Sequence, residues 1–260
     1  MKLGLGPLAL KGMTGAELAS LGSHAVAASF DAIWVAESRA EGVGAGLAAA
    51  AMLGQLVPIR VGAAIDAGLY HPLHMAEDIA IADLSTQGRI EVLLRLSSPA
   101  ASRYGASAER GWFEEHLTVL ALALSGAHVQ WNGEHLRVPA QIDANQPAPT
   151  RLALNPTPAQ PAVPIWVESS AGWMEDLART LGFGVAAPWR PAGKVPPATG
   201  RWPGMALCPG DALAEDLLHA AGDGPGYFLV TARTSQEVAA AGRRLAGPLR
   251  MPEFPSWINE

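Results

Sequence analysis

The chain has 260 residues, 49% of them hydrophobic and only 16% charged, with a formal net charge of −6 at neutral pH. That size and composition suit one domain with a substantial core and exclude a disordered chain. The acidic balance, with no Lys/Arg run longer than two residues, speaks against a nucleic-acid partner, and the single cysteine, Cys208, leaves neither an internal disulfide nor a Cys/His zinc set.

From the N-terminus, Leu3 to Leu8 reads as a first strand, because Gly4, Gly6 and Pro7 interrupt the apolar run and Lys11 closes it too early for a targeting or membrane segment. A cytoplasmic protein is expected. Strand-like runs followed by helix-period segments then recur: Gly15 to Ala28 after the first strand, Ala32 to Glu37 with Gly46 to Leu56, and Ile59 to Asp66 with Pro72 to Leu84. Ile90 to Leu96 precedes a helix at Ala108 to Leu124. Ile165 to Ser169 precedes one at Gly172 to Leu181, and Gly184 to Pro188 has no clear helix after it. Gly204 to Cys208 and Tyr227 to Val230 precede helices at Ala212 to Ala221 and Ser235 to Leu245.

Eight strands alternating with helices predict parallel pairing through helical crossovers, and a closed (β/α)8 barrel of the TIM type, one domain over 1–260, is the simplest arrangement. The seventh strand, short and flanked by proline, is expected to be irregular or incomplete. Two excursions break the alternation. His128 to Val138 carries Asn132-Gly133 between alternating apolar positions, which predicts a hairpin outside the barrel after the fourth helix. Pro139 to Pro164 holds seven prolines with no periodicity, an extended excursion over one barrel face and a candidate substrate lid.

Barrels of this kind place their chemistry at the C-terminal ends of the strands. There the sequence offers Glu37, Ser38 and Arg39; Asp66 with Tyr70 and His71; Arg95 and Ser97; Glu168, Ser169 and Ser170; and Trp189 with Arg190. Two guanidinium groups, Arg95 and Arg110, with the hydroxyls of Ser169 and Ser170 and the amides of the following helix, suit a phosphate dianion. The competing reading of Arg110 is a solvated helix start paired with Glu109 or Glu114. Asp66 is either an acid/base group or a cap for the next loop, and His71, before Pro72, is either a helix cap or a ligand contact. Glu37 either lines the pocket or pairs with Arg39 or Arg60. Trp131, Trp173 and Trp202 read as packing residues, and Glu17, Glu114, Glu115 and Glu215 as solvated charges on helix faces.

FDAIWVAES from Phe30, YHPLHMAEDIAIADLSTQGRIEVLLRL from Tyr70 and VPIWVESSAGWMEDLARTLGFGVAAPW from Val163 together resemble the luciferase-like flavin monooxygenases, over about Met1 to Trp189. The resemblance implies FMN, bound reduced and supplied by a separate flavin reductase, with a small organic molecule as substrate. It places Arg95, Arg110, Glu168, Ser169 and Ser170 around the flavin phosphate, Ala64 and Trp189 beside the cofactor, and Glu37, Ser38 and Asp66 as proton-handling groups; it implies no metal. It also implies a homodimer through the second and third helices, where Gly44 to Leu53 is rich in small residues.

Departures from the family pattern point elsewhere. Leu93, Leu94 and Arg95 stand where family members commonly carry glycines, which predicts reduced space beside the flavin. Glu37-Ser38-Arg39 replaces a Glu-His-His run, so the histidine used in oxygen chemistry is missing. The region after Trp189 is short. These leave two alternatives: a hydride-transferring enzyme of the deazaflavin F420, or a catalytically degenerate flavin-binding or partner subunit.

Overall fold

The computed structural model describes residues 1–37, 44–96, 110–138, 152–169, 171–189, 194–199, 201–222 and 226–249. Eight parallel strands close into a barrel in the order β1-β10-β9-β8-β7-β4-β3-β2. They are β1 (Lys2–Ala9), β2 (Ala32–Ala36), β3 (Arg60–Asp66), β4 (Ile90–Arg95), β7 (Ile165–Glu168), β8 (Gly184–Pro188), β9 (Gly204–Cys208) and β10 (Gly226–Val230). Each predicted strand is present. The seventh in the barrel, β9, is regular: it pairs in parallel with β8 and holds five consecutive register partners on β10.

Seven helices cover the barrel among the described residues: α1 (Gly15–Ala27), α2 (Ala45–Leu56), α3 (Pro72–Ser85), α4 (Arg110–Leu124), α5 (Gly172–Thr180), α6 (Ala214–Ala221) and α7 (Ser235–Leu249). Local chemistry starts several of them. Thr14 and Glu17 form a reciprocal capping box at α1, and His71 caps α3 with Pro72 in its first turn.

The strand period of two divides the core into an outer and an inner part. Residues such as Ile33, Val61, Val92, Ile165 and Phe228 pack outward under the helices. Their neighbours Ala32, Trp34, Ala64, Leu93, Trp166, Met205, Tyr227 and Leu229 form a separate cluster inside the barrel. Near the N-terminal ends the interior is plugged by aromatic rings: Trp34 and Trp166 meet edge to face at 6.1 Å, and Trp166 and Tyr227 at 5.4 Å. Gly62 makes this possible, since a Cβ there would stand 2.0 Å from the Trp34 ring.

Beneath the rings Glu91 collects three donors. Lys2 Nζ and Arg60 Nε (2.5 Å) donate to Oε1, and the Tyr227 hydroxyl donates to Oε2 at 2.7 Å while accepting from Trp34 Nε1 at 2.6 Å. Burial alone would raise the Glu91 pKa; Lys2 and Arg60 reverse that and hold it below the usual carboxylate range.

Both excursions differ in detail from the sequence expectation. The hairpin exists as β5 (Trp131–Asn132) and β6 (Arg137–Val138), but its loop is Gly133 to Leu136 instead of a two-residue Asn-Gly turn. The reason is Glu115, read above as a solvated charge. Its carboxylate accepts from Trp131 Nε1 and from the main-chain N–H groups of Glu134, His135 and Leu136, docking the loop onto α4. In the proline-rich excursion, the part over 152–164 closes the floor and not the mouth. Gln160 accepts from Arg60 at 2.8 Å and donates to Asp83 at 2.7 Å and to the Ile90 carbonyl at the start of β4. The remainder, 139–151, lies outside the described residues.

Candidate active site

Above the aromatic plug the interior becomes small-walled. Ala36, Ala64 and Ala186 line a well with Leu93, Leu207 and Leu229, and the strand ends Asp66, Arg95 and Glu168 share the inward face at its rim, while Glu37, one residue past the inward Ala36, turns against the start of α2. Leu93 faces the well, but Leu94 packs in the outer core, so only one of the two strand-four leucines takes space there.

Arg95 is the rim's organiser. Its Nη2 donates to the Glu37 carbonyl at 3.0 Å and to the Ala64 carbonyl at 3.2 Å, tying β4 across β3 to the end of β2. Glu168, on the same strand face as the inward Trp166, lies close enough to feel the Arg95 charge; burial nevertheless dominates and raises its pKa.

Glu37 is buried, at 6% exposure. Its Oε1 accepts from the Tyr70 hydroxyl and from the Gly44 N–H, both at 2.7 Å, and its Oε2 has no hydrogen-bond partner among the described residues. Burial is the first cause of its raised pKa, opposed by the Tyr70 and Gly44 hydrogen bonds. The Arg60 salt-bridge alternative is not borne out, since Arg60 is on the floor with Glu91; Arg39, with the other alternative, lies outside the described residues, as do Ser38, Ser97, Ser170 and Arg190.

Asp66 and His71 each make the local cap contact. Asp66 Oδ1 accepts from Gly68 N–H at 3.1 Å, capping a 3-10 turn, and His71 Nδ1 accepts from Leu73 N–H at 3.3 Å; burial lowers the His71 pKa.

The phosphate candidates divide between two places. Arg95 is inside the rim. Ser169, one residue past the inward Glu168, faces α5, where its hydroxyl donates to the Ala171 carbonyl at 3.2 Å and to Glu175 Oε1 at 3.1 Å. It lines a cavity of about 430 Å³ with Gly172, Glu175, Trp189 and Lys194. Trp189 packs with the outer core there, its N–H bonded to the Leu207 carbonyl at 2.9 Å. The first turn of α5 has no side-chain cap. Arg110 pairs with Glu114 at 2.5 Å, as the alternative reading had it, and its guanidinium also lies 5.6 Å over the ring of Trp173, in that same first turn. Two residues here escaped the sequence reading as site groups: Glu175 and Lys194. Only Glu175 had a local signal, as an acid in the first turn of the helix that follows the serines.

The family model described as luciferase-like monooxygenase matches residues 5–202. No curated protein sequence matches the chain. Among solved structures, monooxygenase RslO1 from Streptomyces bottropensis is similar over 96% of this chain and 100% of its own, with a TM-score of 0.71 and 15% identity. The coenzyme F420-dependent tetrahydromethanopterin reductase from Methanopyrus kandleri matches over 95% and 99%, with a TM-score of 0.68 and 10% identity. An F420-dependent secondary alcohol dehydrogenase matches over 94% and 98%, at 0.71 and 11%. At these identities the likeness to the three structures shows a shared fold.

Proposed function

The chain belongs to the luciferase-like monooxygenase family, and on that premise we propose that its barrel mouth binds FMN and that the protein is a flavin-dependent monooxygenase acting on a small organic molecule, with reduced flavin delivered by a separate reductase. The observation that carries the cofactor reading is the uncapped first turn of α5, which leaves main-chain N–H groups for an anion beside the Ser169 hydroxyl and beside Arg110 over Trp173. That donor set fits a phosphate. Two carboxylates oppose it: Glu175 must give up the Ser169 hydroxyl, and Glu114 the Arg110 guanidinium, when a phosphate enters.

Bound FMN supplies the electrons for activating dioxygen. The chain's own residues do the rest. Ser169, Ser170, Arg110 and the α5 amides hold the phosphate; Ala64 and the other alanines of the well leave room for a flat ring, with Trp189 and Glu168 at its border; Arg95 keeps the rim in register. Glu37, Ser38 and Asp66 are the proton-handling groups.

The α2 and α3 faces carry the exposed apolar side chains Met52, Leu56, Ile81 and Leu84 around a shallow groove lined by Ala45, Ala48 and Ala51, which supports a homodimer on that face. Among the described residues no helix is long and apolar enough to cross a membrane, and the one cysteine, Cys208, is buried and free, which suits a reducing cytoplasm.

Titration of the ligand-free protein with FMN, read by flavin fluorescence and by thermal stability, tests the cofactor. Saturation at 100 times the dissociation constant stabilises the fold by about 2.7 kcal/mol. Stabilisation by F420 and not by FMN replaces this reading with the deazaflavin one, which the two F420-dependent structural neighbours favour; stabilisation by neither overturns both.

A further inference from the structure

We propose that the cavity at the ends of β1, β9 and β10 is the substrate site, and that it takes a small apolar molecule ending in a carboxylate, whose acid group is held by Lys11 and Arg233. The cavity, of about 940 Å³, lies beyond the C-terminal ends of these three neighbouring strands and reaches between α1 and α7, at Leu21 and Glu237. That volume suits a small organic ligand.

Strand β1 shapes the space. It carries one more residue than β2 between the pairs Leu5–Ile33 and Leu8–Val35, which makes a bulge. Gly6 permits it: at φ 121°, a Cβ there would stand 2.4 Å from the Trp34 carbonyl oxygen. Pro7, on the bulge, forms an apolar wall with Leu8, Met13, Leu21 and Ala232.

The strand ends also fix what the cavity borders. Ala9 is the register partner of Ala36, which lines the well, and register partners on adjacent strands share a face of the sheet. On β10, Leu229 is inward and Val230 outward, so Thr231 returns to the inward face. Ala9 and Thr231 are both exposed, and both line the cavity. A molecule held there lies beside the open well, so its role as substrate rests on the reading of that well as the flavin site.

Charge selects the head of the ligand. Lys11, Arg233, Asp211 and Glu237 border the cavity. Glu237 is spent on the chain, since its Oε2 accepts from the N–H groups of Arg233 at 2.7 Å and Thr234 at 3.4 Å. Both helix starts at this cavity are thereby capped from within, α1 by Thr14 and Glu17, and α7 by Thr234 and Glu237. What is left for a ligand is Lys11 and Arg233 against Asp211, a surplus of one positive charge in a chain whose net charge is −6. Among the described residues neither cation is in an ion pair. A carboxylate meets both, and the guanidinium fork suits it bidentately. An amine head meets the surplus as a like charge, and an alcohol leaves it unused.

Phenylpropionate, phenylpropanol and phenylpropylamine share one apolar body and differ in the head, so they separate these cases. Each is titrated by NMR against the whole ligand-free chain carrying ¹³C-methyl methionine. The acid is expected to bind about tenfold more tightly than the alcohol, with the amine weakest. Its aromatic ring should shift the Met13 methyl resonance, assigned with Met13→Leu. In the double variant Lys11→Gln with Arg233→Gln, the affinity for the acid should fall to that for the alcohol, which itself stays unchanged. Equal binding of acid and alcohol, tighter binding of the amine, or a Met13 methyl that does not move overturns the proposal, and the comparison of probes on the wild type needs no variant to fold. An affinity for the acid that survives the double substitution also overturns it. Failure of FMN to bind, with the acid preference intact, would overturn the cofactor reading alone; FMN binding without that preference would overturn the substrate class alone.

Discussion

The two ends of the barrel treat buried charge in opposite ways. On the floor, Glu91 meets Lys2, Arg60 and the Tyr227 hydroxyl. At the mouth, Glu37 has one oxygen with no hydrogen-bond partner among the described residues, and Arg95 is directed at main-chain carbonyls. Both acids are buried, yet Glu91 is pushed below the ordinary carboxylate range and Glu37 above it. A barrel with its floor satisfied and its mouth incomplete separates stability from chemistry along the strands, with the second reserved for the C-terminal ends. Substitutions at matched depths test that division.

The largest effect is expected at the floor. Glu91→Ala leaves two cations, both largely buried, around a void, and removal of one partner of a buried pair costs about 3–5 kcal/mol. Urea unfolding measures it; a loss below about 1 kcal/mol would dissolve the contrast between floor and mouth. Next comes Gly62→Ala, whose Cβ would fall within the Trp34 ring's contact distance and cost about 1–3 kcal/mol by overpacking. Its control is Gly172→Ala at the mouth end, where a Cβ meets nothing within 4 Å and the change in melting stability should stay within about 0.5 kcal/mol.

The sequence carried the barrel but not this division, and particular residues show why. Strands and helices announce themselves by local period, so all eight strands were legible, β9 included, where proline neighbours suggested an irregularity that pairing on both sides removes. Caps are local too, and Asp66 and His71 each bond an N–H two residues ahead. The floor network joins Lys2 to Glu91 across 89 residues, and Tyr70 reaches Glu37 across 33. Nothing in the local pattern of either residue encodes such a partner. Glu115 misled for the same reason: its partners are the hairpin amides 134–136, brought to it by tertiary packing. One lesson was available and unused. Adjacent strand residues face opposite ways, so Glu168 and Ser169, taken together as phosphate neighbours, are divided between the rim and α5 by the pleat itself.

A fourth substitution reads the mouth end by pH. The folded-state pKa of Glu37 is raised, so its contribution to stability is fully present below the unfolded-state pKa and is lost as pH rises through the folded value. For Glu91, lowered in the folded protein, the contribution is present above the unfolded-state pKa and lost as pH falls. Glu37→Gln should therefore match the wild type in acid and gain on it toward neutrality, by on the order of 1 kcal/mol. Denaturant unfolding at a series of pH values measures this gap, and a gap that closes as pH rises would place Glu37 with the satisfied charges of the floor.

The smallest stability change is expected where the proposed function is most exposed. The Arg110–Glu114 pair is on the surface, with the Arg110 side chain 65% accessible, and such pairs contribute about 0–1 kcal/mol. Arg110→Ala should leave the unfolding midpoint almost unmoved. If the guanidinium beside Trp173 grips a phosphate, the same substitution removes a charge-assisted interaction of about 1.5–3 kcal/mol and weakens FMN roughly ten- to a hundredfold. Riboflavin, which lacks the phosphate, should lose nothing. Equal losses for FMN and riboflavin would mean that Arg110 supports the mouth by packing on Trp173, and the phosphate would then have to be held by the α5 amides and serines without it.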